Sequence, residues 1–167
     1  SAGAGTSGAS FGFGVKENNY LGNGIGLDSN LLISTSQFKG KFSFTNPNFN
    51  NSDKSLYFSA EATEINNYET FGYKTNKTGF RVGTNFEYLN DFYLGLNSSN
   101  FYERIETNST ASAQQQSQEG NYWDSFLKFD MNYDKRNQKF QTSSGFKSFY
   151  SISLPVVSDT NTFKNYY

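Results

Sequence analysis

The chain has 167 residues, which is enough for one domain with a sizeable core. Its net charge is −1. Only 35% of the residues are hydrophobic and 19% are aromatic, so aromatic rings make up more than half of the apolar side chains. The scattered charges form no basic stripe, which argues against nucleic acid as a partner, and the absence of cysteine excludes disulfides and thiolate metal sites.

Apolar side chains alternate with small or polar ones along most of the chain. This spacing predicts β-strands that have one apolar and one polar face. Helical periodicity is nearly absent, and residues 111–119 are predicted to form a long polar loop. The pattern predicts nine strands and the start of a tenth, at residues 1–6, 9–17, 22–35, 38–46, 54–66, 75–89, 91–105, 123–134, 145–155 and 162 onward.

The apolar faces of such strands can be buried only against a second sheet or in lipid. Many predicted strands reach ten or more residues, close to the ~9–11 that a tilted strand needs to cross a bilayer, whereas soluble strands usually have ~5–6. Aromatic residues also crowd the strand ends, as at a headgroup boundary. We therefore predict a lipid-facing set consisting of Phe11, Phe13, Ile25, Leu27, Leu31, Ile33, Phe42, Phe44, Phe80, Val82, Phe86, Leu94, Leu96, Leu127, Phe129 and Ile152.

Two sets of connections alternate along the chain. The set that includes 36–37, 67–74 and 106–122 contains the longest and most polar stretch. Bacterial membrane barrels have short turns on the periplasmic side and longer loops outside, and the chain matches this rule in part. A soluble β-sandwich stays the alternative at this stage.

Three stretches resemble the bacterial surface antigen family, the BamA-type outer-membrane assembly factors. They are Asn18–Gly24, the sequence SFTNPNF at 43–49, and Tyr133–Asn137 followed by 141–146. Gln141 and Asn48 depart from the family, which usually has proline and often tyrosine there. The turn residues that match the family motifs are Asn46, Pro47, Phe49, Asp134, Arg136, Thr142 and Gly145.

The resemblance implies an all-β fold, an antiparallel up-and-down transmembrane β-barrel of the bacterial outer membrane. The chain is expected to supply an incomplete open sheet of about nine to ten strands. Residues 1–167 would then form the N-terminal portion of the barrel domain. The family's periplasmic POTRA repeats and its Arg-Gly-Phe loop motif do not occur in this sequence, nor does a signal peptide.

The same resemblance implies a factor that folds and inserts β-barrel proteins. Its first strand pairs weakly with the last, which opens a lateral gate where a client strand can add. The first segment has no large side chain and contains glycine, which weakens a strand. The predicted edge-pairing residues are Ala2, Gly3, Ala4, Gly5 and Thr6. The alternative for this segment is a frayed terminus.

The expected partners are the lipid bilayer, unfolded outer-membrane protein clients and accessory lipoproteins that act through the POTRA region. Four other functions stay open for this chain. Two are related polypeptide transporters, of the TamA type or of the two-partner secretion type. The others are a passive porin and a soluble β-sandwich adhesin.

Enzymatic chemistry has little support in the sequence. Histidine and cysteine are absent, which removes the usual bases, thiol nucleophiles and most transition-metal ligands. Asp124, Asp130 and Asp134 alternate on one strand face, but Lys128 and Arg136 lie among them, so we expect a solvated wall rather than a calcium site. We expect no enzymatic activity, no cofactor and no bound metal.

Overall fold

A computed structural model of the protein describes residues 2–5, 8–137, 140–141 and 143–158. These residues form one antiparallel sheet of nine strands in sequential order. The predicted all-β, antiparallel open sheet is therefore confirmed, and the tenth strand predicted from 162 onward lies outside the described residues. The strands are β1 Ala2–Gly5, β2 Gly8–Tyr20, β3 Ile25–Ser34, β4 Gln37–Asn46, β5 Ser55–Asn67, β6 Tyr73–Leu89, β7 Phe92–Thr107, β8 Gly120–Asp134 and β9 Lys147–Ser158.

The central strands are longer than their alternating patterns. β6, β7 and β8 contain 17, 16 and 15 residues, and they extend past the predicted ends on the side of the 108–119 loop. Lys74 and Glu106, predicted to lie in connections, are strand residues that face each other across β6 and β7. Alternation is lost there because both faces of these strand ends carry polar side chains.

Two single helical turns lie at this loop end of the sheet, α1 (Tyr68–Phe71) and α2 (Ala113–Gln116). The segment 111–119 is thus not all irregular, because Ser112 and Gln115 form a reciprocal capping box that starts α2. No helix in the described ranges is both long and apolar enough to cross a membrane.

Asn108 ties the two loops together. Its backbone N–H donates to the Gly72 carbonyl oxygen (2.8 Å) and its Nδ2 donates to the Tyr68 carbonyl oxygen (3.0 Å). Gly72 has φ +75°, and a Cβ there would collide with the Asn108 and Thr110 side chains. The loop end is therefore an ordered structure, held by hydrogen bonds between polar groups rather than by an apolar core.

The sheet is a single layer throughout the described part of the chain, where no second sheet covers it. Large apolar side chains such as Phe13 (56% exposed) and Leu96 (41% exposed) stay uncovered. The buried apolar side chains among the described residues are Phe101 and Ala111. This arrangement is not that of a β-sandwich, in which the apolar faces of two sheets pack together.

Phe101 is a buried aromatic side chain, with 7% exposure, on the side of the sheet opposite the large uncovered apolar side chains. Its ring covers Gly79, the residue directly opposite on β6, and a Cβ at Gly79 would overlap the ring. Lys77 Nζ and Arg81 Cζ lie 5.1 and 4.6 Å from the ring centroid. Glycine at 79 thus leaves room for the Phe101 ring to pack against the β6 backbone between the Lys77 and Arg81 side chains. Two cations beside one ring are a favourable cation–π arrangement.

The substitution Gly79→Ala tests this packing. We expect it to destabilise the folded full-length protein in detergent by about 1–3 kcal/mol, because a Cβ at residue 79 would overlap both the Asn100 carbonyl oxygen and the Phe101 ring. Urea unfolding followed by tryptophan fluorescence measures the effect. Gly40→Ala is the matched control, since a Cβ at Gly40 meets nothing closer than 3.7 Å. Equal stability of the two variants would contradict the packing described.

Candidate functional site

The first candidate surface is the open edge of the sheet at β1. This strand pairs with β2 over four residues, from Ala2 opposite Phe11 to Gly5 opposite Gly8. On its other side, β1 has no partner strand among the described residues. The predicted edge residues Ala2–Gly5 therefore form the edge strand of the described sheet, whereas Thr6 lies outside the described residues.

The edge continues along β2. Phe13–Tyr20 has a described partner strand on the β3 side alone, with a register shift between Glu17 and Tyr20. An edge strand presents backbone N–H and C=O groups that can pair with another strand. β1 and the second half of β2 thus provide a strand-pairing surface bounded by a bulge.

The second candidate surface is the apolar face of the sheet. In an antiparallel pair, residues directly opposite each other point to the same side. The register links Phe13 to Leu31, Ile33 to Phe38 and Leu127 to Leu154, and corresponding pairs connect all the strands from β2 to β9. All sixteen residues predicted to face lipid lie on this one side of the sheet, here called the apolar face. Contact with lipid itself stays a prediction.

Aromatic pairs mark the two borders of the apolar face on β7 and β8. Tyr102 and Trp123 lie 6.2 Å apart near the loop end, and Phe92 and Tyr133 lie 6.4 Å apart near the other end, measured between ring centroids. Ten residue steps separate Phe92 from Tyr102 along β7. At ~3.3 Å per residue and a tilt of ~40°, these steps span about 25 Å, the height of the apolar band of a membrane barrel.

Three polar side chains within the apolar face hydrogen bond to each other. Ser125 Oγ donates to Asn100 Oδ1 (2.6 Å), and Asn100 Nδ2 donates to Ser98 Oγ (3.2 Å). All three residues lie on the apolar face by register, one and two rows inside the Tyr102–Trp123 pair. Mutual hydrogen bonding lowers the cost of placing these groups in an apolar environment. The alternation pattern did not predict this cluster, because none of its members is apolar.

The opposite side of the sheet, here called the polar face, carries most of the charged strand residues. Arg81 Nη1 lies 3.8 Å from Glu61 Oε2, and Lys128 Nζ lies 3.5 Å from Asp130 Oδ1. Ser151 Oγ also donates to Asp130 Oδ1 (2.6 Å). The predicted row of Asp124, Asp130 and Asp134 is thus part of a mixed-charge wall.

The two family turn motifs lie at the end of the sheet away from α1 and α2. At the first, Asn46 ends β4 and its Oδ1 accepts a hydrogen bond from the Asn48 backbone N–H (3.1 Å). Pro47 follows the last ladder residue, where its missing donor costs nothing. The chain then forms a 3₁₀ turn over Phe49–Asn51.

The second turn is organised by Asp134 and Arg136. Arg136 Nε and Nη2 each donate to an Asp134 carboxylate oxygen at 2.7 Å, which makes a bidentate pair. Gly145 has φ +100° and packs against the backbone of Lys135 and Arg136, so a Cβ has no room there. Thr142, the remaining predicted member of this motif, lies outside the described residues.

This ion pair shifts the pKa values of both its members. Asp134 is the last residue of β8, beyond Tyr133 and outside the apolar band. The side-chain hydrogen bonds from Arg136 lower the pKa of the Asp134 carboxyl from its usual 3.8 to about 2. In return, the hydrogen bonds to Asp134 raise the pKa of Arg136. The pair therefore stays ionised under all but strongly acidic conditions.

The pH dependence of stability tests this pairing. Because the pKa of Asp134 is lower in the folded protein, its stabilisation is complete well above pH 3.8 and is lost as the pH falls towards about 2. We expect Arg136→Gln to be less stable than the wild type at neutral pH, and the difference to shrink between these values. Urea unfolding of the full-length protein across this range measures it. A difference that is independent of pH would contradict the assignment.

Comparisons with known proteins agree with this geometry. A family model described as the Omp85 superfamily domain matches residues 19–166. Among solved structures, the chain resembles BamA from Haemophilus ducreyi lacking POTRA domains 1–3, with 20% sequence identity and a TM-score of 0.57. The match covers 95% of this chain and 33% of that one, so the sequence spans about a third of the solved chain. No curated protein sequence matches the chain. The family resemblance drawn from the turn motifs is confirmed, and the chain belongs to the Omp85 superfamily.

Proposed function

We propose that this protein folds and inserts β-barrel proteins in the bacterial outer membrane, with the β1 edge as the template for client strands. The observation that carries the proposal is the composition of the edge strand: β1 consists of alanine and glycine and has no second partner strand among the described residues. The proposal involves no enzymatic step.

Placement of the apolar face in lipid is the first part of the proposal. The face is uncovered, its backbone groups are paired within the sheet from β2 to β8, and its aromatic borders are about 25 Å apart. Strands can lie in hydrocarbon only where their backbone hydrogen bonds are satisfied by neighbouring strands. These features support a lipid-embedded wall with the polar face towards a water-filled lumen.

Orientation follows from the family. Its POTRA repeats are periplasmic and precede the barrel, so β1 would begin on the periplasmic side. The first connection, at residues 6–7, would then face the cell exterior together with the α1 and α2 loops. The Asp134–Arg136 turn would face the periplasm. The extracellular loops of bacterial barrels are usually longer than the periplasmic turns, and the long 108–119 loop follows this rule in the proposed orientation.

Strand addition is the second part of the proposal. Glycine weakens a strand, so an edge strand made of alanine and glycine can exchange partners at lower cost than β6 or β7. Extended segments bind such edges through main-chain hydrogen bonds, whatever their sequence. A templating edge of this kind suits a factor that accepts many clients. The expected contact with accessory lipoproteins stays a prediction.

A single charge on the apolar face tests the lipid placement. We expect Leu96→Lys to destabilise the full-length protein in bilayers by about 2–4 kcal/mol, because Leu96 lies midway between the aromatic borders. Asn97→Lys, one residue further on the same strand, points to the polar face and serves as the control. Urea unfolding from liposomes measures both. Equal losses, or a larger loss for Asn97→Lys, would contradict the proposed orientation of the sheet.

Disulfide crosslinking tests the edge. Cysteine substituted for Ala2 or Ala4 in the full-length protein is expected to crosslink to a cysteine in the terminal strand of an incoming client. Ala60→Cys is the control, because β5 pairs with a strand on both sides. A secretion pore would instead crosslink its cargo to the polar face, for which Thr63→Cys on β5 is the probe. Client crosslinks at Thr63 and none at Ala2 or Ala4 would overturn the proposal.

A further inference from the structure

The turn between β2 and β3 contains the only asparagine in this sequence that is followed by glycine, Asn23–Gly24. Both residues are exposed, and the turn contains left-handed residues, with φ +56° at Leu21, +71° at Gly22 and +68° at Gly24. Asparagine and glycine favour tight turns because both tolerate such conformations. An asparagine before glycine is also open to intramolecular reaction, since glycine has no side chain to shield its backbone nitrogen.

Asparagine is one of the chemically labile residues of proteins, and its deamidation needs no enzyme. The backbone nitrogen of the next residue loses its proton and attacks the side-chain carbonyl carbon. A C–N bond forms, a succinimide ring closes and ammonia leaves. Water then opens the ring at either of its carbonyl carbons, which gives aspartate or isoaspartate. In isoaspartate, the main chain runs through the side-chain carboxyl carbon.

The nitrogen that would attack Asn23 is held by a hydrogen bond in this turn. The Gly24 backbone N–H donates to Asn19 Oδ1 at 2.7 Å. Asn19 is itself fixed, because its own N–H donates to Glu17 Oε1 (2.9 Å) and its carbonyl oxygen accepts from the Gly22 N–H (3.0 Å). The Asn19 side chain therefore presents a fixed acceptor to the Gly24 nitrogen.

We propose that Asn23 is a site of spontaneous deamidation and that Asn19 slows the reaction. The Gly24 nitrogen must lose its proton before it attacks, so its hydrogen bond to Asn19 Oδ1 must break. The negative charge that develops on this nitrogen then faces an amide oxygen, which accepts hydrogen bonds but cannot donate them. The barrier is therefore higher in the folded turn than in an unfolded chain. The inference is independent of the proposed function.

Deamidation would change the hairpin that lies beside the open edge of the sheet. The pair of Tyr20 and Ile25 closes this hairpin, after the register shift that follows Glu17. Isoaspartate at residue 23 would add a methylene to the main chain of the turn, and either product would add a carboxylate. Protection of the amide thus preserves the turn that ends β2, the strand next to β1.

The rate of deamidation tests the proposal. The full-length protein is incubated in detergent at mildly alkaline pH and digested, and the peptide that contains residue 23 is analysed by mass spectrometry. The mass difference between an amide and a carboxyl group measures the reaction. We expect the folded wild type to react more slowly than the same protein unfolded in urea. Asn19→Ala is expected to react about fivefold faster than the folded wild type, which corresponds to the ~1 kcal/mol of a net hydrogen bond.

Two further variants separate this hydrogen bond from a general loosening of the turn. Asn19→Asp keeps an acceptor for the Gly24 N–H and adds negative charge beside the attacking nitrogen, so it should react no faster than the wild type. Asn18→Ala is the matched control, because the Asn18 side chain takes no part in these hydrogen bonds, and it should react like the wild type. Equal rates in the folded and unfolded wild type, or in all three variants, would overturn the proposal.

Discussion

The register of the antiparallel backbone ladders is the constraint on which the rest of this structure depends. Each residue lies directly opposite another that points to the same side, from Phe13 and Leu31 on β2 and β3 to Phe129 and Ile152 on β8 and β9. A slip of one residue in any ladder would move a whole row of apolar rings to the polar face. The ladders thus make eight separate amphipathic strands, β2 to β9, into one continuous apolar surface.

Polar groups are arranged around this surface in three ways. Most charged side chains of the strands lie on the polar face or beyond the aromatic borders, as Arg81 and Lys74 do. The Asn100, Ser98 and Ser125 side chains lie within the apolar face but hydrogen bond to each other. Backbone groups pair between neighbouring strands from β1 to β9, and the outer sides of β1 and β9 have no partner strand among the described residues. The β1 edge has no described partner strand on one side, and the proposed client strand would add there.

Much of the fold could be predicted from the sequence, because the period of two is a direct consequence of lipid or protein on one side and water on the other. The nine strands and their faces follow from it. The ends of β6, β7 and β8 could not, since Lys74, Glu106, Thr107 and residues 120–121 include no apolar side chain that would mark a face. The packing of Phe101 on Gly79 could not be predicted either, because it depends on the register between β6 and β7. Alternation along one strand does not determine that register. α1 and α2 are single turns fixed by Asn108, Ser112 and Gln115 rather than by periodicity.

Spin-label accessibility along β8 tests the central claim most directly, that the apolar face lies in hydrocarbon. Single labels are placed in turn at residues 124–132 of the full-length protein in bilayers, and relaxation by oxygen and by a water-soluble nickel chelate is measured at each. The account predicts alternation, with oxygen dominant at 125, 127, 129 and 131 and nickel dominant at 124, 126, 128, 130 and 132. Uniform access of the nickel chelate to both sets, or shielding of the odd positions from both reagents, would contradict it.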